Sequence, residues 1–177
     1  TAQEGGGRRR GGGIPGMGGR GSEDTRPRYF FSLNHNITLE NEVLLAEGGP
    51  LFDQLDGFVL GSGAIPRNSS RVEGGLFWQG YGFRVSGNYV GDAVLRGGDL
   101  PGSSDLFFSD LATFDVRLFA NLDEIFEQED GWLSGLRVSL VADNVFDARR
   151  RVTDENGDVP SAFEPFRIDP TGRYLGI

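Results

Sequence analysis

From Tyr29 onward, apolar and polar residues alternate with a period of two, run after run, and that period constrains the fold more than any other feature. Phe31, Leu33, Ile37 and Leu39 alternate with Ser32, Asn34, Asn36 and Thr38, and the pattern carries on through Val43 and Leu45. Four further runs cover residues 71–79, 83–89, 113–122 and 136–143, and a sixth starts near Arg173. Successive side chains of a strand point to opposite faces, so each run carries one apolar and one polar face. Helical spacings of three and four are nowhere sustained. The chain is expected to be all-β and antiparallel.

The connections between the runs also alternate. Gly80-Tyr81-Gly82 is a tight turn, and residues 127–131 are a short acidic stretch; residues 47–68, 97–110 and 154–171 are long and rich in Gly, Pro, Ser and Asp. Short turns at one end and long loops at the other are the layout of an outer-membrane barrel, with turns in the periplasm and loops outside. In a β-sandwich the apolar face packs inward, whereas in such a barrel it meets lipid and the polar face lines the lumen. Two features favour the barrel. Trp78, Phe83, Tyr89, Phe114, Phe126 and Trp132 lie near strand ends, as an interfacial girdle requires. The polar faces hold charges of both signs, Glu73, Arg84, Asp115, Arg117, Arg137 and Asp143, set to pair across neighbouring strands.

Composition agrees. Hydrophobic residues are 37% of the chain and the mean hydropathy is -0.31, with no apolar run long enough for a membrane helix and no apolar signal segment after Thr1. Neither bears on transmembrane strands, which need only every second residue apolar. Every basic residue is Arg, the net charge is -9, and there are no cysteines. That excludes disulfides and thiolate chemistry. His35 is the only histidine, which excludes a metal site built on several histidines. No catalytic, cofactor-binding or metal site is expected, and the chain is not read as an enzyme. Asp154-Glu155-Asn156-Gly157-Asp158 begins like a calcium loop, but Val159 and Pro165 stand where an EF-hand needs Gly and Glu, so it reads as a solvated turn. Residues 1–28 are Gly/Arg-rich and read as a flexible periplasmic turn or linker. They lack the interleaved aromatics of an RNA-binding segment, and Gly16 to Gly21 lacks the strand and helix of a dinucleotide motif, so no nucleic-acid partner is expected.

The last stretch carries a resemblance. An alternating strand runs into Asn144-Val145-Phe146-Asp147, a polar loop follows, and Asp169-Pro170-Thr171-Gly172-Arg173 leads into a new strand. N-V-F-D, a long loop and D-P-x-G-R in that order resemble the C-terminal end of TonB-dependent outer-membrane receptors. The resemblance covers about residues 29–177. It implies an up-and-down transmembrane β-barrel, of which these are about six C-terminal strands, since even the smallest barrel of this kind takes about eight. It further implies the outer membrane of a Gram-negative bacterium, contact with the lipid bilayer and lipopolysaccharide, and coupling to TonB through an N-terminal plug. The implied task is energised uptake of a scarce large solute: a siderophore, cobalamin or an oligosaccharide. The ligand-binding residues are unknown. A passive porin-like or structural barrel is the alternative, and a secreted β-sandwich binding module is a third reading. Arg149-Arg150-Arg151 are expected above the hydrocarbon, facing lipid phosphates or lipopolysaccharide, because an arginine at mid-bilayer costs roughly 2–4 kcal/mol.

Overall fold

The structure, a computed structural model, describes residues 26–59, 63–98, 103–127 and 131–177. Nearly all of the Gly/Arg-rich segment and residues 128–130 of the acidic stretch lie outside the described residues.

Six strands form one antiparallel sheet in consecutive order: β1 (Arg28–Ile37), β4 (Asn68–Trp78), β5 (Tyr81–Val90), β8 (Leu111–Asn121), β9 (Arg137–Asp143) and β11 (Tyr174–Gly176). Each neighbour runs antiparallel to the last, in an up-and-down meander. The sheet is open, with β1 and β11 at its edges. The alternation therefore locates all six strands, and their order follows the chain.

The first run is shorter than its alternation predicts. β1 ends at Ile37, and residues beyond it form a separate hairpin of β2 (Glu42–Leu44) and β3 (Leu51–Asp53). Alternation continues across the break because β2 is itself a strand, so period alone hides the corner. The long loops also hold structure that the sequence reading leaves as coil. β6 (Ala93–Leu95), β7 (Leu106–Phe108) and β10 (Val152–Thr153) form a three-stranded sheet in the order β10-β7-β6. Two four-residue helices, α1 (Leu122–Ile125) and α2 (Pro165–Ile168), complete the elements among the described residues, with a 3-10 turn at Ser161–Phe163.

The turn between β4 and β5 is Gln79-Gly80, with φ of 47° and 80°. Two consecutive positive φ values belong to the two-residue hairpin turn whose twist matches the strands it joins, and glycine at the second position meets that need without steric cost.

Candidate functional site: a two-faced wall and a motif clasp

The register assigns every strand residue to one of two faces. Tyr29, Phe31, Leu33 and Ile37 of β1 share a face with Val72, Leu76 and Trp78 of β4. Through the next pairings that face continues with Phe83, Val85 and Tyr89, then Phe114, Val116 and Leu118, then Val138 and Leu140, and ends at Leu175. It is apolar on all six strands, apart from His35, Ser70 and Asn68 toward the loop end. It is also bare: Phe31 is 73% exposed, Leu33 62%, Trp78 49% and Leu140 47%. Among the described residues no second layer covers it. The buried apolar residues are instead Ala93, Phe108 and Val152, all of the small loop sheet. In water this arrangement discards the main gain of folding, since removal of apolar surface from solvent is worth roughly 25 cal/mol per Å².

The opposite face is polar and internally bonded. Glu73 of β4 pairs with Arg71 at 2.7 Å and with Arg84 of β5 at 3.2 Å. Asp115 of β8 accepts from the Ser86 hydroxyl at 3.5 Å and from the backbone N–H of Asn144 at 2.9 Å. With Arg117 and Asp143 these groups line a shallow polar depression of about 210 Å³. Of the six charges expected on this face, Glu73, Arg84 and Asp115 engage a neighbouring strand or the segment after β9. Arg137 of β9 donates to Asn121 of β8 at 2.7 Å.

Towards the short-turn end this face turns aromatic. Phe77 lies between Phe30, 6.0 Å away, and Phe119, 5.4 Å away. Arg84 sits 5.6 Å over the Phe30 ring and Arg137 4.8 Å over Phe119, both within cation–π range. The rings lie flat because glycine is opposite: a Cβ on Gly75 would collide with Phe30, and one on Gly82 with Phe119. Aromatics covering cross-strand glycines supply the packing surface that glycine lacks and pin the register. Sequence reading missed this strip, although Phe77 stands out as an apolar residue in the polar register of β4.

At the other end of the sheet the two motifs meet. Asn144 is only 8% exposed and has φ of 48°. Its side-chain amide donates to the Ala148 carbonyl and its side-chain oxygen accepts from the Ala148 N–H, each at 2.9 Å. These two hydrogen bonds to one residue close the turn, whose left-handed backbone Asn tolerates better than most side chains. Asp147 then accepts from the Arg173 backbone N–H at 3.0 Å and pairs with Arg149 at 3.1 Å. Both contacts, that N–H foremost, hold its carboxyl below the usual Asp value. Asp169 caps the same turn by accepting from the Gly172 N–H at 2.9 Å. Gly172 has φ of 58°, and a Cβ there would run into Arg149 and Asp147. Phe146 is 72% exposed and packs edge-on against Phe114 of the apolar face, with centroids 5.7 Å apart.

The three arginines divide. Arg149 and Arg150 turn onto the protein, contrary to the expectation that all three face outward. Arg149 stacks 4.2 Å over the ring of Phe166 in α2. Arg150 donates to the carbonyls of Ser109 at 2.8 Å and Gly91 at 2.9 Å. Burial draws its pKa down, with Asp92 and Asp110 opposing. Arg151 remains exposed. Three consecutive side chains cannot share one direction in an irregular segment, and backbone carbonyls left free by the short loop strands take the middle one.

His35 bonds the Ser70 hydroxyl at 2.6 Å on the apolar face, near the loop end. The Asp154 turn closes on itself, its carboxylate accepting from the N–H groups of Asn156 and Asp158 at 2.9 Å each. Among the described residues no cluster of His, Cys, Asp or Glu has the arrangement of a metal site. Comparison with family models, with curated proteins and with solved structures found no match to this chain.

Proposed function

We propose that this chain is the C-terminal wall of a transmembrane β-barrel in the outer membrane of a Gram-negative bacterium, and that the barrel is a TonB-dependent receptor. One observation carries the barrel: six adjacent strands expose an apolar face, with polar His35, Ser70 and Asn68 toward its loop end, while the opposite face is hydrogen-bonded and charged. Lipid would cover the first and the lumen would wet the second. Strand length fits. β4 and β8 have 11 residues each and β5 has 10. At about 3.3 Å per residue and a tilt of about 40°, such strands cover about 25–28 Å along the membrane normal, the height of the apolar band of such barrels. Tyr29, Trp78 and Tyr81 at one end of that face and Tyr89, Phe114 and Phe146 at the other stand where interfacial aromatics belong.

The receptor, as distinct from any barrel, rests on the resemblance of N-V-F-D and D-P-T-G-R, and contact between the two motifs supports it. In this reading the strands are wall, the loops and an upstream plug bind a scarce large solute, and TonB drives its release inward. A porin-like barrel would share the wall but not the coupling. The discriminating observation is the reading frame upstream. A plug domain headed by a TonB box supports the receptor, and further strands with neither favour the passive barrel.

A further inference from the structure

We infer that the described parts of the three long connections of the sheet, residues 38–67, 91–110 and 144–173, do not move separately but form one cap, cross-bolted by Arg150 and Arg96. The inference stands on contacts between loops and does not depend on the membrane reading. The cap has a core of its own drawn from all three loops. Ala64 comes from the first, Ala93, Leu95, Leu106 and Phe108 from the second, and Val152 and Phe163 from the third. Val152 is fully buried, and Phe163 meets Phe108 edge-on at 5.6 Å. Removing any one loop opens this core.

Two arginines tie the parts. Arg150, on the third loop, reaches the carbonyls at both ends of the second, Gly91 and Ser109, and its guanidinium lies 5.3 Å over the Phe108 ring. The backbones of Ser109 and Arg151 join beside it at 2.8 Å. Arg96, on the second loop, donates from Nε to the Asp56 carbonyl at 3.1 Å and from its backbone to that of Gly57 at 2.9 Å, both on the first loop. Its guanidinium pairs with Asp105, whose own N–H donates to Glu155 of the third loop at 3.2 Å. A chain of bonds thus runs from residue 56 through 96 and 105 to 155. Separate loops of this length would each bear the entropy of ordering with little burial to offset it. Pooled into one core they order or open together, as a cooperative unit does.

Amide hydrogen exchange on the full-length protein tests this, comparing wild type with Arg150→Met, which keeps the aliphatic stem and loses the two carbonyl bonds. The expected result is a parallel fall in protection, roughly tenfold or more, in β6, β7 and β10 and at the Arg96 amide that donates to Gly57, with β4 and β5 unchanged. A loss confined to residues 148–153 overturns the inference. Should Arg150→Met fail to assemble, exchange of the wild type across a denaturant series decides. One shared opening slope for β6, β7 and β10 supports the cap, and three different slopes overturn it.

Discussion

The carboxylate of Asp147 accepts a 3.0 Å hydrogen bond from the backbone N–H of Arg173, which joins two motifs 26 residues apart in the chain. The bond lies where β9 has ended and β11 is about to begin. It fixes the angle at which the chain returns from the third long loop, and so the register Tyr174↔Asp143 that adds the last strand to the sheet. Gly172 allows the approach, and Arg149 fills the remaining side of the carboxylate while stacking on Phe166.

Gly172→Ala should therefore weaken the docking of β11. A left-handed backbone at a residue with a Cβ costs roughly 1–2 kcal/mol, and displacement of Arg149 and Asp147 adds to it. Gly157 is a control with a positive φ of 84° and nothing within 4 Å of the added Cβ. In thermal unfolding of the full-length protein, Gly157→Ala should show the backbone cost alone and Gly172→Ala a clearly larger loss. Equal losses would mean that the clasp contributes nothing beyond the turn.

The depressed pKa of Asp147 has a sign. Its ordinary value is 3.8, and the folded value is lower because the Arg173 N–H and Arg149 favour the carboxylate. The stabilisation is thus complete above the ordinary value and fades as pH falls from there through the folded value. The gap in protection of β11 amides between wild type and Asp147→Asn should be constant at neutral pH and should close on acidification below about 3.8. A gap that closes on raising the pH instead would place the interaction on another group.

Some of this was legible in the residues and some was not. Alternation marks the six strands because a half-exposed sheet imposes period two on each. The order of N-V-F-D and D-P-T-G-R was legible, but the contact between them, through Asp147 and the Arg173 backbone, was not. The corner after Ile37 was hidden because β2 keeps the same period. The loop sheet was hidden for another reason. β6, β7 and β10 have two or three residues each, too few for a periodic signal, and they gain their stability from contacts across loops far apart in sequence. Arg149 and Arg150 were assigned outward on charge, but the carbonyls of Gly91 and Ser109 and the ring of Phe166 that receive them come from other segments. No local pattern marks such acceptors.

The loop end of the sheet should face the cell exterior and the Gln79-Gly80 end the periplasm, because length asymmetry follows the side of the membrane in such barrels. The chain has no cysteine, so single thiols can report. With Ser161→Cys and Glu127→Cys in the full-length protein, a membrane-impermeant maleimide on intact cells should label the first and spare the second. Labelling of Glu127→Cys alone would invert the topology and remove the receptor assignment with it.

The central claim is that the apolar face of the sheet meets lipid. Val85 and Leu140 lie on that face, while their neighbours Ser86 and Ser139 lie on the polar one. An arginine facing lipid near mid-bilayer costs roughly 2–4 kcal/mol, while one in the polar wall stays hydrated. The measurement is heat-modifiable electrophoretic migration of the full-length protein in outer-membrane fractions, for Val85→Arg and Leu140→Arg against Ser86→Arg and Ser139→Arg. The account predicts that the first pair loses most of the folded, heat-modifiable form and the second pair keeps it. Equal loss from both faces, or greater loss from the serine positions, would contradict it.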